Sequence, residues 1–224
     1  MVRAAIFDFD GVIANSEPLH FSALRDALRA DGIRITEEEY YRLYLAYDDR
    51  GAIRLALEHH ASPRDPDRVE VIARRKAQIF EERLPTIPFF PGVPELVRGL
   101  AEEMPLAIAS GARREEIEEI LAAGALRDAF GAIVGAGDVS RGKPDPEPYL
   151  IAAARLLPLA PGLRPEECVA FEDSMPGIAA ARSAGMKVVA VTNSYPAAKL
   201  TLAHRVVESL AGLDRAALRS LFAA

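Results

Sequence analysis

Four short stretches of the sequence carry side chains that together could transfer a phosphoryl group. They supply four carboxylates, one hydroxyl beside a glycine, and one ammonium group: Asp8, Asp10, Glu172 and Asp173; Ser110 with Gly111; and Lys143. Carboxylates with no His or Cys beside them favour a hard cation such as Mg²⁺. One carboxylate can attack phosphorus and form an aspartyl-phosphate, while a second, two residues on, can protonate the leaving group and then activate water. A hydroxyl and the N–H groups at a helix start can bind the phosphate, and a lysine offsets its charge.

Each stretch follows an apolar run that is typical of a strand buried on both faces. The predicted strands are Arg3–Phe7, Pro105–Ala109, Ala132–Val134, Glu167–Phe171 and Lys187–Val191. Apolar residues at helical spacing lie between them, over Glu95–Glu102, Arg113–Ala122, Pro146–Leu157 and Pro176–Ala184. This alternation predicts an α/β fold with a doubly wound, Rossmann-like parallel sheet. Since ligands bind outside the carboxyl ends of such strands, we expect the polar stretches to meet at one edge of the sheet.

One long stretch interrupts the alternation. From Glu17 to about Arg83 the sequence shows amphipathic helix patterns and no strand pattern. It ends in a cluster of prolines that predicts a stiff linker, namely Pro85, Pro88, Pro91 and Pro94. We therefore predict an α/β core formed by residues 1–14 and 86–224, with an all-helical domain inserted over residues 15–85.

The composition of the 224-residue chain disfavours several classes of binding partner. A net charge of −6 disfavours nucleic-acid binding, which needs a basic surface. No apolar run approaches the roughly 20 residues that cross a bilayer. The single cysteine, Cys168, cannot form an intrachain disulfide. We expect a monomeric cytoplasmic protein that binds neither nucleic acid nor membrane and acts on a small molecule.

The polar stretches also resemble a known family. The segments DFDG at Asp8–Gly11, Ser110 after PLAIA, GKPDPEPY at Gly142–Tyr149 and FEDSMPGIAAARSAGM at Phe171–Met186 resemble, in order, the four motifs of the haloacid dehalogenase superfamily. The resemblance covers nearly the whole chain. It is strongest to the phosphatases and β-phosphoglucomutases that carry a helical cap after the first motif, where the helix-only stretch lies.

The resemblance implies a role for each polar group of the core. Asp8 would be the nucleophile, and Asp10 the general acid and base, with its backbone carbonyl also reaching Mg²⁺. Ser110, next to Gly111, and Lys143 would bind the transferring phosphoryl group. Glu172 and Asp173 would complete the metal site. Dehalogenases of the superfamily lack the second aspartate, so Asp10 favours phosphate ester chemistry.

Two of these stretches also have a simpler structural interpretation. Glu172 and Asp173 could cap the helix predicted near Pro176, and Ser110 could be a helix N-cap. Taken alone, the acidic pair favours the cap. The presence of the other three stretches reverses that preference.

In the helical insert, His20 and Lys76 fall where β-phosphoglucomutases carry cap residues that handle the sugar phosphate, and Arg50 is similar in position to their cap arginine. Their simpler interpretation is a structural histidine and a solvated basic face. Ala46 stands where the family commonly has a glycine, and Asn15 replaces a common aspartate. These departures leave the substrate open.

The function predicted from the sequence is a Mg²⁺-dependent phosphatase acting on a small phosphorylated metabolite, with a sugar phosphate preferred. A β-phosphoglucomutase-like phosphotransferase is the nearest alternative, because it would use the same core groups. A non-enzymatic phospho-acceptor domain is a further alternative, since receiver domains also gather acids, a hydroxyl and a lysine. The helical insert and the position of Lys143 before Glu172 in the chain argue against it.

Overall fold

A computed structural model describes residues 2–45, 47, 49–61 and 65–221. The chain divides into two compact units, one formed by Met1–Asn15 with Pro88–Ala224 and the other by Ser16–Ile87. Ala46, singled out above as a departure from the family pattern, lies outside the described residues. No helix within the described ranges is both long enough and apolar enough to cross a membrane.

The first unit is built on one parallel sheet of six strands. In chain order these are β1 (Ala4–Phe7), β2 (Leu106–Ala109), β3 (Phe130–Val134), β4 (Cys168–Glu172), β5 (Lys187–Val191) and β6 (Arg205–Val207). Their spatial order is β3-β2-β1-β4-β5-β6, and every pair is parallel. The direction of winding reverses between β1 and β4, which is the point where doubly wound sheets bind ligands.

Among its described residues this unit has five α-helices: α5 (Val93–Ala101), α6 (Arg114–Ala123), α7 (Glu147–Arg155), α8 (Met175–Ser183) and α9 (Arg215–Leu221). Helices lie on both sides of the sheet, so the central strands β1, β2 and β4 are buried along their whole length. This burial explains their continuous apolar runs. The predicted doubly wound α/β fold is confirmed.

The register of the central strands fixes the site. Phe7 of β1 pairs with Phe171 of β4, and the two rings stack with centroids 4.5 Å apart. Phe7 also pairs with Ile108 of β2 on the other side. The residues that follow these positions therefore emerge side by side at the carboxyl edge.

The second unit contains helices and no strand among its described residues. They are α1 (Glu17–Arg29), α2 (Glu37–Glu39), a π-helix over Tyr40–Tyr44, α3 (Asp49–His59), α4 (Pro66–Arg83) and a 3₁₀ turn over Leu84–Thr86. It has its own apolar core, which includes Leu28, Tyr44, Ile53, Leu57 and Ile72. An all-helical insertion after β1 was predicted.

Two details of the sequence prediction are wrong. Pro85 lies in the 3₁₀ turn and Pro94 in the first turn of α5, so the linker does not extend over all four prolines. Proline is tolerated in a first helical turn because its missing N–H has no intrahelical partner there. Strand β6 was missed because it has three residues, two of them exposed, and no apolar run to mark it.

Candidate active site

Lys143 joins two carboxylates at the point where the sheet reverses its winding. Its Nζ lies 2.8 Å from Oδ1 of Asp8, which directly follows β1, and 2.7 Å from Oε1 of Glu172, the last residue of β4. Burial acts to lower the pKa of Lys143, but the two carboxylates outweigh it and raise that pKa above its ordinary value. The ammonium group is therefore a permanent positive charge at this edge.

Glu172 is completely buried and its carboxylate accepts five hydrogen bonds. Oε1 accepts from Lys143 and from the Tyr149 hydroxyl, the latter at 2.8 Å. Oε2 accepts from the N–H of Asp173 and from the N–H and hydroxyl of Ser174. Burial favours the neutral acid, yet these donors hold the pKa of Glu172 below its usual value.

The helix-cap interpretation of Glu172 and Asp173 is wrong. Ser174 caps α8, because its side chain accepts a hydrogen bond from the N–H of Gly177. Gly177 has to be a glycine, since a Cβ at this position would overlap the Glu172 carboxylate. The start of α8 is thus packed directly onto the buried acid.

Asp8 and Asp173 are the two acids of this cluster whose pKa is raised. Burial and the neighbouring Glu172 carboxylate raise the pKa of Asp8 well above its usual range. Burial, with a smaller contribution from Glu172, raises the pKa of Asp173 to about 7. A nearby cation would relieve this repulsion and return both groups to the ionised form.

The donor set of this cluster fits a hard divalent cation. One carboxylate oxygen from each of Asp8, Glu172 and Asp173 lies within 4.8 Å of the other two, and all three residues are buried. Oxygen-only donors suit Mg²⁺ rather than a metal that prefers nitrogen or sulfur. The Asp10 carboxylate is not part of this three-acid group, although its charge contributes to the raised pKa of Asp173. The family resemblance implied that Asp10 reaches the metal through its backbone carbonyl rather than its carboxylate.

The turn after β2 places Ser110 next to this cluster. Ile108 pairs with Phe7, so the buried Ser110 emerges just beyond the level of Asp8 on the neighbouring strand. Its N–H donates to the Val134 carbonyl, and its hydroxyl accepts from the N–H of Ala112. Of Ser110, Gly111 and Ala112, only Gly111 has an N–H with no hydrogen-bond partner among the described residues.

The interpretation of Ser110 as a helix N-cap is wrong, since Arg113 occupies that position of α6. In the turn itself, the N–H groups of Ser110 and Ala112 are already bonded.

Four residues that lie at this edge were not singled out from the sequence: Tyr149, Ser174, Asn193 and Ser194. The Tyr149 ring also lies under Lys143, with Nζ 5.2 Å from the ring centroid. Tyr149 and Ser174 belong to the quoted motif segments, so their hydroxyls could have been considered. Asn193 and Ser194 follow β5 and donate to Gly11 and Asp173. The strand-end rule that found the other groups, applied to β5, would have found them.

In the helical unit, two of the three predicted residues come together. Lys76 is 3 % exposed, and its Nζ lies 2.9 Å from Nδ1 of His20 and 2.9 Å from Oδ1 of Asp49. The interpretation of Lys76 as part of a solvated face is therefore wrong. Burial, together with the Lys76 charge, lowers the pKa of His20 to about 4.

Arg50 does not join this pair. Its Nε and Nη2 bind the two carboxylate oxygens of Glu70 at 2.6 and 2.9 Å, on the exposed surface of the same unit. Asp49, the neighbour of Arg50 in the chain, is the residue that reaches Lys76. It was not singled out from the sequence.

Fold and site together define an α/β enzyme with a carboxylate–lysine centre at the carboxyl edge of its sheet. The chain belongs to the haloacid dehalogenase-like hydrolases, whose family model matches residues 5–191. The family predicted from the sequence motifs is confirmed, and the chain is an enzyme of this phosphatase and phosphotransferase type. The alternative of a non-enzymatic phospho-acceptor domain is removed.

Several proteins are similar over most of their length. Hexitol phosphatase B of Escherichia coli is 33% identical over 193 residues, which cover 85% of this chain and 83% of that protein. CbbY from Rhodobacter sphaeroides in complex with phosphate matches with a TM-score of 0.78 at 28% identity, covering 97% of this chain and 99% of that one. The β-phosphoglucomutase of Clostridium difficile matches with a TM-score of 0.74 at 25% identity, covering 99% of this chain and 97% of that one.

Proposed function

We propose that this enzyme is a Mg²⁺-dependent phosphatase that hydrolyses a small phosphorylated metabolite, a sugar phosphate, through an aspartyl-phosphate intermediate. The observation that carries the proposal is the ammonium of Lys143 held between Asp8 and Glu172, with Asp173 in the same cluster. Similarity to a hexitol phosphatase and to a phosphate-bound CbbY supports both the reaction and the substrate class.

The metal would be held by the side chains of Asp8 and Asp173 and the backbone carbonyl of Asp10. Bound there, Mg²⁺ would offset the negative charge of the phosphate and of the clustered acids. Glu172 was also predicted as a ligand. Its two oxygens already accept five hydrogen bonds, so we assign it mainly to holding Lys143.

Asp8 is the proposed nucleophile. A carboxylate oxygen of Asp8 attacks phosphorus, the bond from phosphorus to the ester oxygen breaks, and that oxygen takes a proton from Asp10. In the second half, Asp10 accepts a proton from water as the water attacks phosphorus, which frees phosphate and restores Asp8. Lys143 reduces the repulsion between Asp8 and the incoming phosphate throughout.

Ser110 and Gly111 are the proposed phosphate-binding pair. The Ser110 oxygen accepts from the Ala112 N–H, which leaves its own proton available to donate. The Gly111 N–H would donate a second hydrogen bond to the phosphate. Together with Lys143 they would supply three donors to the phosphoryl oxygens.

The helical unit is the proposed cap that selects the substrate, and His20 and Lys76 are its proposed substrate-binding residues. Lys76 only donates hydrogen bonds, so Nδ1 of His20 must accept and the imidazole proton must lie on Nε2. The pair therefore offers donors suited to a phosphate or a sugar hydroxyl. Arg50 is left out of this role because Glu70 occupies its guanidinium group.

A panel of phosphorylated metabolites assayed for phosphate release, with and without Mg²⁺, tests the proposal. We expect hydrolysis of sugar phosphates that depends on Mg²⁺ and is abolished by EDTA. Absence of phosphate release from every ester of the panel would contradict it.

A β-phosphoglucomutase-like phosphotransferase is the second candidate, favoured by the structural similarity to the C. difficile enzyme. Glucose 1-phosphate supplied with the glucose bisphosphate separates the two. Glucose 6-phosphate as product identifies a mutase, whereas free phosphate identifies a phosphatase.

A further inference from the structure

The turn after β5 reaches both acidic loops of the active site. The amide Nδ2 of Asn193 donates to the backbone carbonyl of Gly11 at 2.8 Å, and the Ser194 hydroxyl donates to Oδ2 of Asp173. We propose that Ser194 and Asn193 are positioning residues: Ser194 holds the metal-binding carboxylate of Asp173, and Asn193 holds the backbone of the loop that carries Asp10. This inference rests on the metal site of the proposed function, and it adds the end of β5 to the strand ends that form the active site.

The turn is itself fixed to the sheet, which a positioning role requires. Glu172 at the end of β4 pairs with Ala190 of β5, so the turn begins beside the acidic pair. The N–H of Thr192 donates to the Val207 carbonyl of the edge strand. On the far side, Tyr195 packs against the apolar core of the unit. Ser194 is exposed, yet it is held between two anchored neighbours.

Gly11 shows how closely these three segments approach one another. Its φ of +76° lies in the left-handed region that favours glycine. A Cβ at Gly11 would overlap the Asp173 carboxylate and would lie 2.9 Å from the Ser194 hydroxyl oxygen. The Asp173 carboxylate is thus bounded by bare backbone on one side and bonded to Ser194 on Oδ2.

These contacts limit how the Asp173 carboxylate can rotate. The hydrogen bond at Oδ2 and the close approach of the Gly11 backbone together restrict rotation of the Asp173 carboxylate, which limits the directions in which its other lone pairs can face a cation. Hydrogen-bond partners of metal ligands typically account for about 10- to 100-fold in metal affinity or activity. Asn193 acts on the other loop, because it binds the backbone carbonyl of Gly11, the residue that follows Asp10.

Mg²⁺ titration of the full-length protein by calorimetry tests the inference without requiring turnover. The variants are Ser194→Ala, which removes the donor, and Ser194→Thr, which keeps it. Ser220→Ala is the matched control, since that hydroxyl donates to the Ala217 carbonyl in α9 and lies outside the site. We expect Ser194→Ala to weaken Mg²⁺ binding at least about tenfold, Ser194→Thr to restore it, and Ser220→Ala to bind like the parent.

Ser194→Ala with the Mg²⁺ affinity of the parent, in a protein of unchanged melting temperature, would overturn the inference. If the parent also hydrolyses esters in a Mg²⁺-dependent manner, the proposed function stands while this inference falls. Conversely, weaker Mg²⁺ binding by Ser194→Ala in a chain that hydrolyses no ester supports the inference and rejects the phosphatase. Equal loss in Ser194→Thr and Ser194→Ala would also overturn it, because a general packing effect would then explain both.

Discussion

The hydroxyl of Tyr149 donates to Oε1 of Glu172, the same carboxylate oxygen that accepts from Lys143. The ring of Tyr149 also lies beneath the Lys143 ammonium group. Tyr149 therefore contacts both members of the pair that places a positive charge beside Asp8. Burial and the Glu172 charge raise the pKa of Tyr149 well above its ordinary value, so it acts as a donor at any physiological pH.

Tyr149→Phe removes that donor and keeps the ring. A hydrogen bond to a charged group is worth about 1.5–3 kcal/mol, so we expect the free energy of unfolding to fall by about 2 kcal/mol. We also expect kcat to fall about tenfold, because Lys143 loses part of its positioning. Urea denaturation and phosphate release measure the two effects. Tyr47→Phe, at an exposed tyrosine, should change neither; equal effects in both variants would contradict the assignment.

Asp8→Asn is expected to abolish turnover and leave the protein folded. An amide is a far weaker nucleophile than a carboxylate, so the first half of the reaction stops. Replacing one of three clustered acids also removes repulsion in the metal-free protein, so the melting temperature should not fall. Phosphate release and circular dichroism check these points. Activity equal to that of the parent would remove Asp8 from the nucleophile role.

The sequence predicted the sheet, and the meeting of Asp8, Lys143 and Glu172 at its edge, for a physical reason. Strands buried on both faces have continuous apolar runs, and each run ended at the residue that the register now places at the edge. Phe7 and Phe171 are partners across β1 and β4, which brings Asp8 and Glu172 together. Local patterns were enough here because parallel strands share one chemical edge.

The sequence could not predict the contacts made between distant segments. Nothing local to Lys76 distinguishes it from its basic neighbours; its burial follows from how α1, α3 and α4 pack and bring His20 and Asp49 to it. Likewise, the use of Glu172 as an acceptor of five hydrogen bonds depends on Tyr149 and Lys143, which lie more than twenty positions away. Strand β6 lacked an apolar run because it is an exposed edge.

Mg²⁺ affinity should fall as the pH is lowered below 7. Burial raises the pKa of Asp173 to about 7, so below that pH the ion must displace a proton, and each pH unit costs up to about tenfold in Mg²⁺ affinity.

The raised pKa of Asp173 also makes the stability of the metal-free protein depend on pH. Between its unfolded value of 3.8 and about 7 the folded protein binds more protons at Asp173, so the metal-free protein loses stability as the pH rises through that window.

Calorimetric Mg²⁺ titrations at pH 6, 7 and 8, in buffers of different ionisation enthalpy, measure both the affinity and the protons released. We expect proton release near pH 6 that diminishes by pH 8. Affinity and proton release that do not change between pH 6 and 8 would show that Asp173 is already ionised in the metal-free protein.

Lys76→Met and Arg50→Ala should behave differently, because one cation is buried and the other is paired at the surface. Loss of one charge-assisted hydrogen bond to substrate is expected to raise KM about tenfold or more in Lys76→Met. Arg50→Ala removes the ion pair with Glu70, in which the Arg50 side chain is 56% exposed. Such exposed pairs contribute only about 0–1 kcal/mol to stability, and we expect KM to stay unchanged. Steady-state kinetics on the best sugar phosphate compares them. Unchanged KM in Lys76→Met would exclude it from substrate binding.

His20 should remain neutral down to a pH of about 4. Burial and the Lys76 ammonium both oppose its protonation, and Nδ1 already accepts from Lys76. In the unfolded chain its pKa returns to 6.5, so the unfolded state binds more protons between about 4 and 6.5, and stability is lost as the pH falls through that window. The full difference is on the order of 3 kcal/mol.

Histidine proton resonances followed by NMR between pH 3.5 and 8 measure this pKa, with His20→Gln used to assign the signal. The parent should show one imidazole that titrates near 4, absent from the variant. The variant should also lose less stability than the parent between pH 6.5 and 4.5. A His20 midpoint near 6.5 would mean that Lys76 does not donate to it in solution, and the substrate-binding pair would then have a different protonation state from the one derived above.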